Sequence, residues 1–381
     1  MMPGNPGGIE RILDPFLPLR EIARTPITPP AVVFWTSAGG VVALPLADAI
    51  NFFRNTLLDQ LPSGGLMGID SLIRKKASDS RTRRFLHMSD FHFGGAHATA
   101  ERRRYLKSEL ALMLDGVHRV IITGDLFDSP NADFRDQFLD FKADVERLTS
   151  KPVITIPGNH DVRPMGNYLP GLLKQKYEFL PEIGWQPLIV DDDLRCIFFC
   201  FNSMEESELA KGLARGYVSP GQRQRMLTSL NEEIARRLRL GQKDIQSYAR
   251  IALVHHHPVP YDTMGGPRYQ MFVDAIFNDK DKFSRFEGSS DFLTWCSDHG
   301  CVAILHGHKH VPYHGLIMSG AENLHPLAIV GCGSTLGAEG RPLCYDIIAL
   351  DPLSGACNVT FLENSGNKFK ERGVVIDRRN W

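Results

Sequence analysis

The sequence carries no excess of charge of either sign: 43 Lys and Arg stand against 44 Asp and Glu, a formal net charge of -1. No global field therefore draws the chain to nucleic acid or to an anionic membrane. The basic clusters Arg74-Lys75-Lys76 and Arg81 to Arg84 have no aromatic residues interleaved and read as a solvated connector. There is also no Cys-x-x-Cys pair among the seven cysteines, and an odd count makes a poor disulfide framework. Cys196, Cys200, Cys296, Cys301, Cys332, Cys344 and Cys357 mostly lie in or beside apolar runs, as reduced core thiols of a cytoplasmic protein would. Long apolar runs are missing too. The stretch from Ala31 to Ile50 is broken by Thr36, Ser37, Gly39, Gly40, Pro45 and Asp48, which argues against a membrane span. The first ten residues are rich in Gly and Pro and lack the basic start and apolar block of a signal peptide.

What is present is a chain of 381 residues, 43% hydrophobic and 23% charged, the composition of a soluble globular protein with a large core. Residues 1 to 80 read as an N-terminal extension: a Pro/Gly-rich arm, a hairpin at Val32 to Trp35 and Val41 to Leu44, and a helix from Pro45 to Leu61. This extension is either a small packed appendage or a docking and homo-oligomerisation element. From 81 to 381 the pattern is that of one α/β domain. Apolar strands alternate with helices at about Ala98 to Asp115 and Ala132 to Thr149, the second showing Phe134, Phe138, Phe141, Val145 and Leu148 at core spacing. Ser219-Pro220 opens a further helix to about Arg239, and another is expected at Asp291 to His299. Three strands close the chain, at Leu327 to Cys332, Leu343 to Leu350 and Cys357 to Leu362. The long polar segment 261–290 has both ends near one strand loop and reads either as a surface excursion or as a cap.

Chemistry concentrates where five apolar strands stop. Phe85 to Ser89 runs into Asp90-Phe91-His92, and Val120 to Thr123 into Gly124-Asp125-Leu126-Phe127-Asp128. Ile154 to Ile156 runs into Gly158-Asn159-His160-Asp161, Ile251 to Val254 into His255-His256-His257-Pro258, and Val302 to His306 into Gly307-His308-Lys309-His310. Each segment alone is a polar turn after a buried strand. Five strands that all end in Asp, Asn or His point to a metal site. In this order the five segments resemble the motifs of the calcineurin-like metallophosphoesterases, over about residues 84 to 350. That resemblance implies a four-layer α/β/β/α sandwich with a dinuclear metal centre at one end.

Carried over by position, the resemblance implies that Asp90, His92, Asp125 and His310 hold one ion. It implies that Asp125, Asn159, His308 and a histidine of the fourth motif hold the other. The family places that histidine two residues before the proline, which selects His256; His255 and His257 are the alternatives left open by three consecutive histidines. Imidazole and carboxylate together suit two divalent or trivalent transition-metal ions, Mn, Fe or Zn. His160 would stabilise the transition state or protonate the leaving oxygen, with Asp128 orienting its ring. Ser129 after Asp128 and Asp161 at the end of the third motif depart from the serine/threonine phosphatases. His-His-His-Pro, Gly-Asn-His-Asp-Val-Arg-Pro and Gly331-Cys332-Gly333-Ser334 look closer to class III cyclic-nucleotide phosphodiesterases. The expectation is a metal-dependent phosphodiesterase acting on a small organic phosphate or cyclic nucleotide. A phosphomonoesterase and a nuclease or DNA-repair relative are the alternatives.

Overall fold

The structure, a computed structural model, describes residues 31–35, 41–45, 82–114, 116–167, 175–205, 214–242, 244–259, 285–317, 327–364 and 369–376. The chain divides into two compact units, Met1–Asp79 and Ser80–Trp381. In the first, β1 (Ala31–Trp35) pairs antiparallel with β2 (Val41–Pro45), the expected hairpin. The expected arm and helix of that unit, and nearly all of the segment 261–290 read as a cap, lie outside the described residues.

The second unit is built on two six-stranded mixed sheets. In the first sheet β3 (Arg83–Met88), β4 (Arg119–Thr123) and β5 (Ile154–Ile156) run parallel. β14 (Cys344–Leu350), β15 (Cys357–Asn364) and β16 (Phe369–Ile376) extend it antiparallel from β3. In the second sheet β7 (Cys196–Cys200), β9 (Ala249–Leu253), β11 (Cys301–His306) and β13 (Leu327–Gly331) run parallel. Antiparallel β6 (Leu188–Asp191) and β12 (Tyr313–Ile317) form its edges. A two-residue parallel pair, β8 (Gly216–Tyr217) and β10 (Phe286–Glu287), stands apart.

Side chains alternate across a strand, and here that alternation sorts the core into three layers. Phe85, Ile121, Ile154 and Ile348 of the first sheet pack between the sheets against Phe198, Ile251, Leu305 and Val330 of the second. The opposite face of the first sheet (Leu86, Met88, Val120, Ile122) is covered by α1 (Ala100–Met113) and α2 (Ala132–Thr149) through Leu106, Leu110, Phe138, Phe141 and Val145. Leu148, expected in that stripe, is 52% exposed because it falls in the last turn of α2, past the sheet contact. The outer face of the second sheet (Ile197, Phe199, Ala252, Ile304) packs on α4 (Pro220–Arg239) and α5 (Ser289–Asp298) through Met226, Leu230, Phe292 and Trp295. Here α3 denotes the four-residue turn Asn159–Val162. The four-layer sandwich is thus present. Arg119 on β4 and Asp191 on β6 add a buried ion pair between the sheets, with Nε to Oδ2 at 2.7 Å. The described cysteines are all buried, and none of them is in a disulfide. No described helix is long and apolar enough to cross a membrane.

Candidate metal centre

Five parallel strands, β3, β4 and β5 of one sheet and β9 and β11 of the other, end on the same side of the sandwich. Their following loops are stitched to one another by backbone bonds. Asp90 N–H donates to Gly124 C=O at 3.0 Å and His92 N–H to Asp125 C=O at 3.0 Å. Gly307 N–H donates to His255 C=O at 3.0 Å, across the second sheet. The Asp161 carboxylate staples the third loop to the second, accepting from Gly158 N (2.7 Å), Leu126 N (2.8 Å) and Phe127 N (3.1 Å). The later Ser334 donates to Asp90 C=O at 2.8 Å and so holds the first loop.

Asp90, His92, Asp125 and His310 converge so closely that one ligand atom from each lies within 4.8 Å of the others. His92 Nε2 and His310 Nε2 face each other at 3.1 Å; Asp90 Oδ1 is 3.3 Å from His310 Nε2, and Asp125 Oδ2 is 3.7 Å from His92 Nε2. Beside this set, Asn159 Oδ1 lies 3.0 Å from His255 Nε2 and 3.1 Å from His308 Nδ1. Asp125 Oδ2 is 3.2 Å from His255 Nε2, so this one carboxylate borders both sets.

The fourth-motif histidine in this position is His255. Its Nδ1 lies 2.7 Å from Thr123 C=O, an acceptor that takes the ring proton and leaves Nε2 aimed at Asn159 and Asp125. Both nitrogens of His256 are engaged elsewhere, with Ser203 Oγ at 2.9 Å and Ala214 C=O at 2.8 Å. Of the three consecutive histidines, His255 is the one presented to Asn159, while His256 lies with His255 and His308 in a second group whose candidate ligand atoms are within 4.8 Å of one another. β9 stops at Leu253, so strand alternation does not dictate which way these side chains point. His257 is buried against His306 and Tyr313, with ring centroids 4.9 and 5.4 Å away.

Electrostatics match a cation-binding pocket. Burial, reinforced by neighbouring histidines, pushes His92 and His308 well below the usual imidazole range. Their lone pairs are therefore available, as metal ligation requires. Burial opposes ionisation of Asp125, yet His255 and His160 hold its carboxyl well below the usual range. His255 feels the converse: burial pushes down, but Asp125 carries its pKa up to about 9. Two imidazole nitrogens facing each other among carboxylates form a donor set that a cation would satisfy. On that chemistry the residues fit two metal ions.

His160 lies beside this pocket, its ring 4.4 Å from that of His92 and edge-on to it. Its Nδ1 bonds to the backbone C=O of Asp128 at 2.8 Å, whereas the Asp128 carboxylate is 4.0 Å away. The carboxylate stands 3.7 Å from His92 Nδ1. Asp128 thus orients His160 through its backbone and borders His92 with its side chain. Sequence reasoning passed over His97, whose ring lies 5.7 Å from His92, and Gly166, whose carbonyl accepts Asn159 Nδ2 at 2.9 Å. The Gly-Gly before His97 and the turn after Arg163-Pro164 were the available signals.

A sequence model described as calcineurin-like phosphoesterase matches residues 83–312. No curated protein matches the chain. Similar solved structures include a dimetal phosphatase from Danio rerio, at 12% identity over 77% of this chain and 98% of that one, with a TM-score of 0.44. The purple acid phosphatase PPD1 from yellow lupin seeds shares 13% identity over 78% of this chain and 55% of its own, with a TM-score of 0.45. Vps29 from Entamoeba histolytica, in a zinc complex, shares 11% identity over 77% and 98%, with a TM-score of 0.33.

Proposed function

The chain belongs to the calcineurin-like phosphoesterase family, and from that premise we propose that it hydrolyses phosphodiesters of small organic molecules or cyclic nucleotides at a two-metal centre. The observation that carries the reading is the position of Asp125, whose carboxylate borders both the Asp90, His92, His310 set and the Asn159, His255, His308 set. Asp90, His92, Asp125 and His310 would hold one ion, and Asp125, Asn159, His255 and His308 the other. Bound there, Mn, Fe or Zn ions would supply Lewis-acid stabilisation of a phosphoryl group and lower the pKa of a water molecule.

The chain's own residues do the rest. Thr123 C=O accepts from Nδ1–H of His255 and so leaves Nε2 as the nitrogen turned towards the ion it would hold. Asp128 C=O takes the Nδ1 proton of His160, so a second proton would sit on Nε2, the nitrogen that can pass it to a leaving oxygen. The diester preference is supported by the motif style, His-His-His-Pro and Gly-Asn-His-Asp-Val-Arg-Pro. The test is a screen of metal-reconstituted protein, with metal content measured, on bis-p-nitrophenyl phosphate, p-nitrophenyl phosphate, cyclic nucleotides and single-stranded DNA. Turnover of the diester above the monoester is the expected result. A protein with two bound ions and no hydrolysis of any of them would refute the proposal.

A further inference from the structure

The turn after the third motif carries an apolar side chain where its own folding gains little from one. Met165 stands between Pro164 and Gly166 with φ 54 and ψ 26, the left-handed region that a residue with a Cβ occupies only when its surroundings hold it there. Hydrogen bonds do so here. Met165 N–H donates to Ser129 Oγ at 2.9 Å, and its C=O accepts from Asn167 Nδ2 at 2.8 Å. The next carbonyl, Gly166, accepts from the candidate ligand Asn159, and a Cβ added at Gly166 would meet His160 Nε2 at 2.2 Å. The turn is therefore tied to Asn159, to His160 and to the residue following Asp128.

In that frame Met165 is 70% exposed. The other large hydrophobics exposed among the described residues are Leu112, Leu148, Leu238, Leu240 and Leu353, on or just past α1, α2 and α4 or in the β14–β15 turn. Met165 alone of them neighbours the candidate centre. A glycine would adopt this backbone freely, so the turn itself does not call for the side chain.

We infer that Met165 is a specificity-determining residue, an adaptable platform for the aryl or nucleobase-like group attached to the leaving oxygen; this rests on the phosphoesterase reading above. The thioether is unbranched and polarizable, which suits planar aromatic surfaces of varied shape. Proximity to His160 through Gly166 assigns it to the leaving-group side.

The test is calorimetric titration of the metal-loaded protein with two inert probes, methylphosphonate and phenylphosphonate, for the wild type, Met165→Gly and Met165→Ala. The wild type should bind the phenyl probe about tenfold more tightly than the methyl probe, from apolar area covered. Both variants should bring that ratio close to one while methylphosphonate affinity moves little. Met165→Gly should also raise Tm, because glycine takes this φ without strain, and Met165→Ala should not. A wild type without phenyl preference overturns the inference, as does a preference that survives both substitutions. Equal weakening of both probes together with a lowered Tm for Met165→Gly also overturns it, by marking a structural role. A metal-loaded wild type that binds neither probe overturns the phosphoesterase reading itself and this inference with it.

Discussion

Gly166→Ala tests whether His160 is held where it is for chemistry. A Cβ at this position would stand 2.2 Å from His160 Nε2, 2.3 Å from its Cδ2 and 2.7 Å from Asn159 Nδ2, where ordinary contacts begin at 3.4 Å. The imidazole must therefore retreat by more than 1 Å or the turn must open. The backbone adds its own cost, since alanine at φ +70 is disfavoured by roughly 1–2 kcal/mol. Overpacking contributes about 1–3 kcal/mol more. The melting temperature should fall by about 2–4 °C for each kcal/mol lost, so the variant stays folded at 25 °C. Retreat of the ring stretches its 2.8 Å bond to Asp128 C=O and moves Nε2 away from the leaving group. A 1 Å misplacement of a reacting group costs about 10²-fold in rate. The assay is kcat on nitrophenyl and alkyl phosphodiesters, with thermal melting and metal content measured on the same preparation. A folded variant with kcat within threefold of wild type on the alkyl ester would refute the placement of His160.

Other substitutions separate the remaining roles. Asp125→Asn should lose both ions or most activity, since one carboxylate borders both sets; full two-ion occupancy with normal turnover would show that it is not shared. His255→Ala should lower metal content towards one ion per chain while His256→Ala retains two, and the reverse result by elemental analysis would restore His256 as the ligand. His160→Ala should keep its metals and lose ~10²–10⁴-fold in rate on esters whose leaving group needs a proton. The loss should be smaller for nitrophenolate, and an equal loss for both would favour a purely electrostatic role. Asp191→Ala should cost about 3–5 kcal/mol of stability, because it strands buried Arg119 between the sheets. A denaturant midpoint matching wild type would mean the pair is solvated.

The sandwich was legible because strand and helix periods are written plainly in apolar residues. The burial of Leu86, Met88, Val120 and Ile122 on one face and Phe85 and Ile121 on the other is the alternation of two strands made visible. The edge strands β12 and β16 were not foreseen: Tyr313-His314-Gly315 starts polar, and Phe369 to Gly373 is mostly charged, so neither offers an apolar run. Within the centre, residue types and order could be read, but the direction of three consecutive histidines could not. What decides it is Thr123 C=O on another sheet, bonded to His255 Nδ1, and Ser203 and Ala214 engaging His256. Those partners lie 132, 53 and 42 residues away along the chain. Which atom of Asp128 meets the His160 ring was not legible either, since spacing cannot tell a backbone carbonyl, here at 2.8 Å, from a carboxylate, here at 4.0 Å.

Backbone conformation explains why the candidate ligands had to be these residue types. Among the described residues eight non-glycines have positive φ, and five of them are Asp90, His92, Asp125, His308 and His310. Asp, Asn and His enter the left-handed region more readily than other residues with a Cβ, because a short polar side chain can bond locally. Even so, each such residue costs on the order of 1–3 kcal/mol. Five at one spot amount to a local instability that the surrounding bonds must offset. Those bonds are Asp90 N–H to Gly124 C=O, His92 N–H to Asp125 C=O, His308 N–H to the Asp90 carboxylate at 3.1 Å, and the Asp161 staple. A turn required only to reverse the chain would use glycine. Left-handed Asp and His after parallel strands of both sheets bring ligand atoms of Asp90, His92, Asp125 and His310 within 4.8 Å of one another. The same choice of residue therefore answers two demands, a tight turn and a ligand atom, and that coincidence is what made the site readable from the chain.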